Sequence, residues 1–389
     1  MKDINFKHTE DNLFLEEEHI ILKEQLKKFV ETEVKPVAQK WESDGFIPRE
    51  VFRKMGSLGF LGITYPTEFG GSELDVRGSV VFAEELGKST FSGFAIASLV
   101  HTDMASVHLL NAGNKEQKDK YLSDIVSGNK ISCVAVTEPH AGSDVKNIRT
   151  KAVKVGNKYL INGSKIFITN GVHSDIYFVA AKTSDALQQS DNITMFIVRK
   201  DNPGLIVNKQ LDKHGWRCSD TAELFFQDCE VEEADVLGTL HKGFYAIMQN
   251  FQNERLVMGA MAMGEAQAAI DCTVEYVKQR DAFGGKLWEK QTVRHKLAEL
   301  QSKVTAARYM VYGVANKVRH AIEVIKEVSM IKVLCGELVN EVMYTCLQLH
   351  GGTGYMTGTE IERLTRDARA QSIGGGATEV MLEEVAKRM

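Results

Sequence analysis

The 389-residue chain is 43% hydrophobic and 25% charged, a soluble globular composition long enough for two or three domains with their own cores. A formal net charge of -5 excludes a broad cationic surface, and with it nucleic acid as an expected partner, while local basic pockets for a phosphorylated ligand stay open. Six scattered cysteines without Cys-x-x-Cys spacing, and no histidine at ligand spacing, argue against a metal site and a disulfide framework, so they read as reduced thiols.

The first thirty residues, with Glu16-Glu17-Glu18, contain neither a signal-peptide core nor an Arg-rich amphipathic stretch, and no later apolar run approaches a membrane span. A cytoplasmic location is expected, with a processed organellar enzyme as the alternative. From Leu13 to about Lys40, apolar residues at helical spacing predict a long first helix that Pro36 kinks or ends. A second helix, Glu50 to Leu58, is closed by Gly59, and Tyr65 to Gly71 is a turn-rich loop. Helices resume over Val80 to Gly87, Ala95 to Ala112 and Lys115 to Ser127, so residues 1–128 form a helical domain.

The pattern changes at Ile131. Short β-branched or alternating runs (Ile131–Val136, Ile148–Val155, Tyr159–Lys165, Ile176–Ala181, Met195–Val198, Leu205–Asn208, Ala222–Phe226) predict a compact antiparallel sandwich or barrel over 129–240, with a hairpin near Asn157. Helical spacing returns after Gly243. Phe244 to about Tyr276, Gln291 to about His320, Ile322 to about Leu349, and Thr378 to the end predict a four-helix bundle over 241–389. The fold class is therefore α+β in the order α, β, α.

Val136-Thr-Glu-Pro-His-Ala-Gly-Ser-Asp144 ends the first strand of the middle domain. Its hydroxyls and tight turn could press backbone against a flat ligand, or be an ordinary strand-end turn. Phe167-Ile-Thr-Asn-Gly171 sets an aromatic face two residues before a hydroxyl, as an isoalloxazine ring would need. Glu254 opens an apolar, small-residue helix. Read alone, Glu254-Arg255 fits a solvated pair at a helix start better than a catalytic group. Glu138 reads as capping a turn, Glu265 as a polar residue on a helix face, His350 as a locally satisfied hydrogen-bonder, and Met258, Met261 and Met263 as core or pocket wall.

These stretches, with Arg217-Cys-Ser-Asp-Thr221, Lys242-Gly-Phe-Tyr, Asn253-Glu-Arg-Leu, Arg280-Asp-Ala-Phe-Gly284, Gln348-Leu-His-Gly-Gly-Thr-Gly354 and Arg366-Asp-Ala, resemble the acyl-CoA dehydrogenase family in order and spacing along nearly the whole chain. The long-chain and branched-chain (isovaleryl-type) members are the most similar. The resemblance implies an FAD cofactor lined by Val134, Val136, Thr137, Gly142 and Ser143, with Phe167 in place of the family's commoner tryptophan and Thr169 near N5. It implies that Arg280, Phe283 and Gln291 reach the FAD of a neighbouring subunit, that Gln348 and Gly352 contact its adenosine and pyrophosphate, and that Ala377 and Glu379 lie near the adenine. A homo-oligomer, as a dimer or dimer of dimers, an acyl-CoA substrate touching Ser143, Phe251, Arg255 and Gly375, and an electron-transfer flavoprotein as acceptor follow from the same likeness.

The family's usual catalytic glutamate falls on Gly375 of Ile373-Gly-Gly-Gly-Ala-Thr-Glu379, whereas the isovaleryl and long-chain types carry it on the helix that here holds Glu254. Glu254 is therefore the expected base, its pKa raised by burial among Val257, Met258 and Met261, and the Gly375 N–H an expected donor to the thioester oxygen. An oxidase on the same fold and a non-catalytic flavin- or acyl-CoA-binding protein are the alternatives. Acyl length and branching are not readable. The helix around Phe94 to Ser98 is a candidate lining for the tail of the acyl chain.

Overall fold

The computed structural model describes residues 13–184 and 191–389, so the first twelve residues of the expected N-terminal domain lie outside it. The expected first helix is segmented. Helix α1 (Glu17–Phe29) runs into a π-helical turn, Val30–Val34, and the chain resumes after Pro36 as α2 (Ala38–Asp44). Then come α3 (Arg49–Ser57), α4 (Val76–Gly87), α5 (Ser92–Leu99), α6 (Ser106–Ala112) and α7 (Lys115–Val126). The run expected as one helix from Ala95 to Ala112 is broken by a second π-helical segment, Val100–Ala105, between α5 and α6. By length and composition Ser92–Ala112 could cross a membrane, contrary to the sequence expectation, but 89% of its apolar 18-residue window is buried inside the protein. Its apolar character serves a core. Asn114 and Gln117 cap α7 reciprocally, and the Gln117 amide also donates to the carbonyls of Ala234 and Val236, tying this domain to the next.

The middle domain is one hydrogen-bonded sheet of β1 (Ser132–Ala135), β2 (Lys151–Val155), β3 (Lys158–Thr169), β4 (Ile176–Lys182), β5 (Ile193–Arg199), β6 (Leu205–Gln210), β7 (Thr221–Glu232) and β8 (Val236–Leu237). The strand order is β6-β7-β3-β2-β4-β5-β8, with β1 on β4. The expectation of a wholly antiparallel arrangement needs correction: β1 and β2 each pair with β4 in parallel. The entry of β1 beside β4 is fixed by Asp175, which accepts the Ile131 N–H at 2.8 Å and the Arg49 guanidinium at 2.6 Å. Strands β4 and β5 are buried on both faces, one toward the sheet's own core (Tyr177, Val179, Phe196) and one toward the N-terminal helices (Phe178, Ile197). That double burial explains their unbroken apolar runs. The predicted hairpin joins β2 to β3 through Gly156-Asn157.

The C-terminal domain contains α8 (Gly243–Gln279), α9 (Gln291–Arg319), α10 (Ile325–His350), α11 (Glu360–Ala368) and α12 (Thr378–Ala386). The short α11 is one more helix than the four read from the sequence. Helix α8 is the axis of the molecule: α4, α9 and α10 pack on it, and every residue from Glu254 to Ala266 is buried. A helix enclosed on all sides must be small where a neighbour crosses it. A Cβ on Gly264 would lie 2.1 Å from the Glu84 carbonyl oxygen of α4, and one on Gly87 would lie 2.4 Å from the Met261 carbonyl oxygen. Gly264→Ala is expected to destabilise the fold by about 1–3 kcal/mol through this crossing. Urea unfolding of both proteins checks it, and an unchanged midpoint would refute the close-crossing account.

Candidate functional site

Successive offsets of four, seven and eleven residues put Glu254, Met258, Met261 and Glu265 on one face of α8. Glu254 is 6% exposed. Its Oε1 accepts a hydrogen bond from Asn250 Nδ2, one turn earlier, at 2.9 Å. The same amide is 3.2 Å from the Met104 carbonyl oxygen and 3.4 Å from that of Asp103, while Asn253 Nδ2 donates to the Asp103 carbonyl at 3.2 Å. The π-helical turn Val100–Ala105 thus offers α8 carbonyls that a regular helix would hold in its own ladder. Burial pushes the Glu254 carboxyl up to about 8; the Asn250 hydrogen bond and the Arg255 charge oppose that rise. Arg255 is itself buried, stacks over the Phe251 ring at 5.6 Å, and forms no ion pair with Glu254. Sequence reading missed both Asn250 and Asp103, although the i, i+4 spacing of Asn250 to Glu254 was visible.

The loop that crosses this face is held in an unusual shape. Gly375 has φ +66°, and a Cβ there would sit 2.4 Å from Met258 Sδ. Met258 lies one turn beyond Glu254, so the loop and the carboxylate flank the same space. Any side chain at 375 would be strained and would strike Met258, which gives the glycine a local reason independent of catalysis. Among the described residues the Gly375 N–H donates to no protein acceptor. Gln371 reaches from this loop to Glu265, its Nε2 donating at 3.1 and 3.2 Å. Glu265 is fully buried, correcting its reading as a polar residue on a helix face, and burial pushes it up to about 8.

A second group of expected residues gathers where β1 ends. Lys165, fully buried, donates to the Val136 carbonyl at 2.9 Å and to Glu138 at 2.8 Å, and Glu138 also accepts the Thr150 N–H at 3.0 Å. Glu138 therefore anchors the Val136–Thr137 strand end through an ion pair, a larger role than capping its own turn. Val134 and Thr137 are half-buried, Gly142 and Ser143 exposed, and a Cβ on Gly142 would meet nothing within 4 Å. A register shift in β3 between Lys165 and Ile168 turns Phe167 outward at φ +61°, leaving its ring exposed, and Thr169 follows half-buried. An open cradle with an exposed aromatic face and nearby hydroxyls fits a flat, ring-bearing cofactor.

Arg280, Phe283 and Gln291 sit at the other end of α8. Phe283 is 92% exposed at the tip of a two-stranded ribbon, and Arg280 and Gln291 are also exposed. Twenty-six residues of rise separate Arg280 from Glu254, about 39 Å along the axis. Gln348 and Gly352 are exposed at the end of α10, beside His350, which stacks on Tyr276 and contacts Thr273 as a satisfied side chain. Ala377 and Glu379 begin α12, just past the Gly375 loop. The described residues bring Glu16, Glu18 and His19 together as possible metal ligands, but Arg77 and Arg319 already pair with Glu16. All six cysteines are free thiols.

Family models describe the same three parts. Residues 16–129, 133–229 and 241–389 match the N-terminal, middle and C-terminal domains of acyl-CoA dehydrogenase. The mitochondrial long-chain specific acyl-CoA dehydrogenase of Rattus norvegicus is 38% identical over 96% of this chain and 86% of its own length. The mitochondrial isovaleryl-CoA dehydrogenase of Pongo abelii is 37% identical over 94% and 87%. The crystal structure of an acyl-CoA dehydrogenase from Geobacillus kaustophilus superposes with a TM-score of 0.92 at 39% identity, covering 96% of this chain and 98% of that one. The family match and these relatives make it an oxidoreductase. The chain belongs to the acyl-CoA dehydrogenase family.

Glu265 supplies a stability test. Its folded pKa, about 8, lies above the ordinary 4.5, so the stability tied to its protonated form is complete below pH 4.5 and is lost as pH rises through 8, the range in which folding takes up a proton. Glu265→Gln should therefore gain about 2–3 kcal/mol on the parent between pH 6 and pH 9. Urea unfolding at both pH values measures this, and parallel pH dependence of the two proteins would contradict it.

Proposed function

We propose that the protein removes the α-proton of an acyl-CoA thioester with Glu254 while the β-hydrogen leaves as hydride, giving a trans-2-enoyl-CoA. The observation that carries this reading is the burial of Glu254 on α8, with its carboxylate held by Asn250 beside the Gly375 loop. An ionised carboxylate in that surrounding is poorly solvated and correspondingly basic toward a weakly acidic carbon. As the proton moves to Glu254, the C–H electron pair shifts toward the thioester carbonyl. The unpartnered Gly375 N–H supports a role as donor to that oxygen. FAD, when bound, supplies the hydride acceptor at N5; Val134, Val136, Thr137, Gly142, Ser143, Phe167 and Thr169 would hold its ring system.

The remaining cofactor contacts require a second chain. The separation of Arg280, Phe283 and Gln291 from Glu254 along one continuous helix supports their serving the FAD of a neighbouring subunit, in a dimer or a dimer of dimers. Gln348, Gly352, Ala377 and Glu379 would meet the adenosine and pyrophosphate half. Phe251 and Arg255 lie beside the base and would line the acyl-CoA site with Ser143. An electron-transfer flavoprotein would take the electrons onward. The free thiols fit a reducing compartment such as the cytoplasm.

Because only ionised Glu254 can accept the proton, kcat/KM for acyl-CoA-dependent flavin reduction should rise about tenfold per pH unit up to a pKa near 8. Glu254→Gln should lower the rate about a thousandfold or more while keeping FAD bound. Stopped-flow reduction across a panel of saturated acyl-CoAs tests both, and full activity in FAD-loaded Glu254→Gln would dismiss the assignment. Asn250→Ala removes the bond that favours the ionised carboxylate, so the acidic limb of the profile should move to higher pH. An unmoved limb would show that Asn250 does not tune the base.

A further inference from the structure

Helix α10 follows the Gly375 loop along one stripe. Asn340 Nδ2 donates to the Ala368 carbonyl at 3.2 Å and to Ser372 Oγ at 3.1 Å. Gly336, one turn earlier, leaves no room above the Gln371 carbonyl, since a Cβ there would lie 3.0 Å from that oxygen. One turn earlier again is Lys332, 3% exposed. Its Nζ donates to the Gln371 carbonyl and, at 3.1 Å, to the Gly376 carbonyl, so it bridges the loop on both sides of Gly375. Its Cε would be 3.7 Å from a Cβ built on Gly375.

No carboxylate lies within 4 Å of the Lys332 ammonium among the described residues, and burial, followed by the neighbouring Arg255 cation, pushes its pKa down to about 8. Burying an ammonium without a counter-ion is costly, and a neutral amide or hydroxyl could satisfy two carbonyls at far less cost. The charge therefore calls for a function. We infer that Lys332 is a positioning residue for the thioester oxygen, clamping the Gln371–Gly376 loop so that the Gly375 N–H faces the substrate and adding positive potential where the oxygen becomes negative. Such preorganised charge acts only as the α-proton leaves, when the C–H electron pair moves into the carbonyl. The energetic cost of the buried ammonium is then offset in the transition state.

This inference rests on the dehydrogenase reading, and its test separates the two. The holoenzyme, Lys332→Met and Lys332→Arg are compared in two assays: anaerobic flavin reduction by saturated acyl-CoAs, and deuterium exchange at the α-carbon of 3-thiaacyl-CoAs in D2O, read by mass spectrometry. The sulfur analogues isolate proton removal from hydride loss. Lys332→Met should slow both processes about a hundredfold while acyl-CoA Kd changes less than about threefold, and Lys332→Arg, which keeps the charge, should stay within about tenfold of the parent. If Lys332→Met purifies without flavin, Lys332→Gln carries the comparison. Exchange at the parental rate in the neutral variant, or an equal loss in Lys332→Arg, would overturn the role assigned to the charge while leaving the dehydrogenase reading intact. A parent enzyme that neither exchanges the α-proton nor is reduced by any acyl-CoA would overturn both.

Discussion

The structure depends on one constraint: a carboxylate must be kept out of water at a fixed point on a helix enclosed from Glu254 to Ala266. Desolvation alone would make Glu254 an expensive residue, and only one amide hydrogen bond and one neighbouring cation lean the other way. The surroundings are built to tolerate that cost. Helices α4, α9 and α10 hold α8 in place, and glycines at the α4 crossing allow backbone contact. A π-helical turn brings spare carbonyls to Asn250 and Asn253. The strain is local, and the packing that opposes it extends through the domain.

The Gly375 loop completes the same space from the other side. Its left-handed glycine, the close sulfur of Met258, the Gln371–Glu265 contact and the Lys332 bridge together specify a single backbone path. In the proposed mechanism α8 supplies the carboxylate, which leaves the loop to serve as backbone donor. A glutamate at 375 would have to displace Met258, the residue that packs one turn from Glu254. The two positions are thus physically coupled through one methionine.

Much of this was legible in the chain. Helical spacing located α8, α9 and α10 to within a few residues, and Asn157 marked the β2–β3 hairpin, because those features are set by local chemistry. The parallel pairings of β1 and β2 with β4 were not, since they depend on the distant Arg49–Asp175 contact and on helices covering the far sheet face. Glu254 was singled out as the expected base through the family likeness and the glycine at 375, while its local sequence was ambiguous. Glu265 was read as a polar helix-face residue and Lys332 was not singled out, because burial of a single charged group leaves no periodic trace of its own. Tertiary enclosure, which sequence spacing does not encode, turned them inward.

The central claim is that burial keeps the Glu254 carboxyl protonated through neutrality and makes its ionised form a strong base. Infrared difference spectra between the parent protein and Glu254→Gln, recorded from pH 5 to pH 10, isolate the carboxyl stretch of this one residue. The account predicts a protonated-carboxyl band that persists at pH 6.5 and gives way to carboxylate with a midpoint near 8. A carboxylate already fully formed at pH 6 would contradict it.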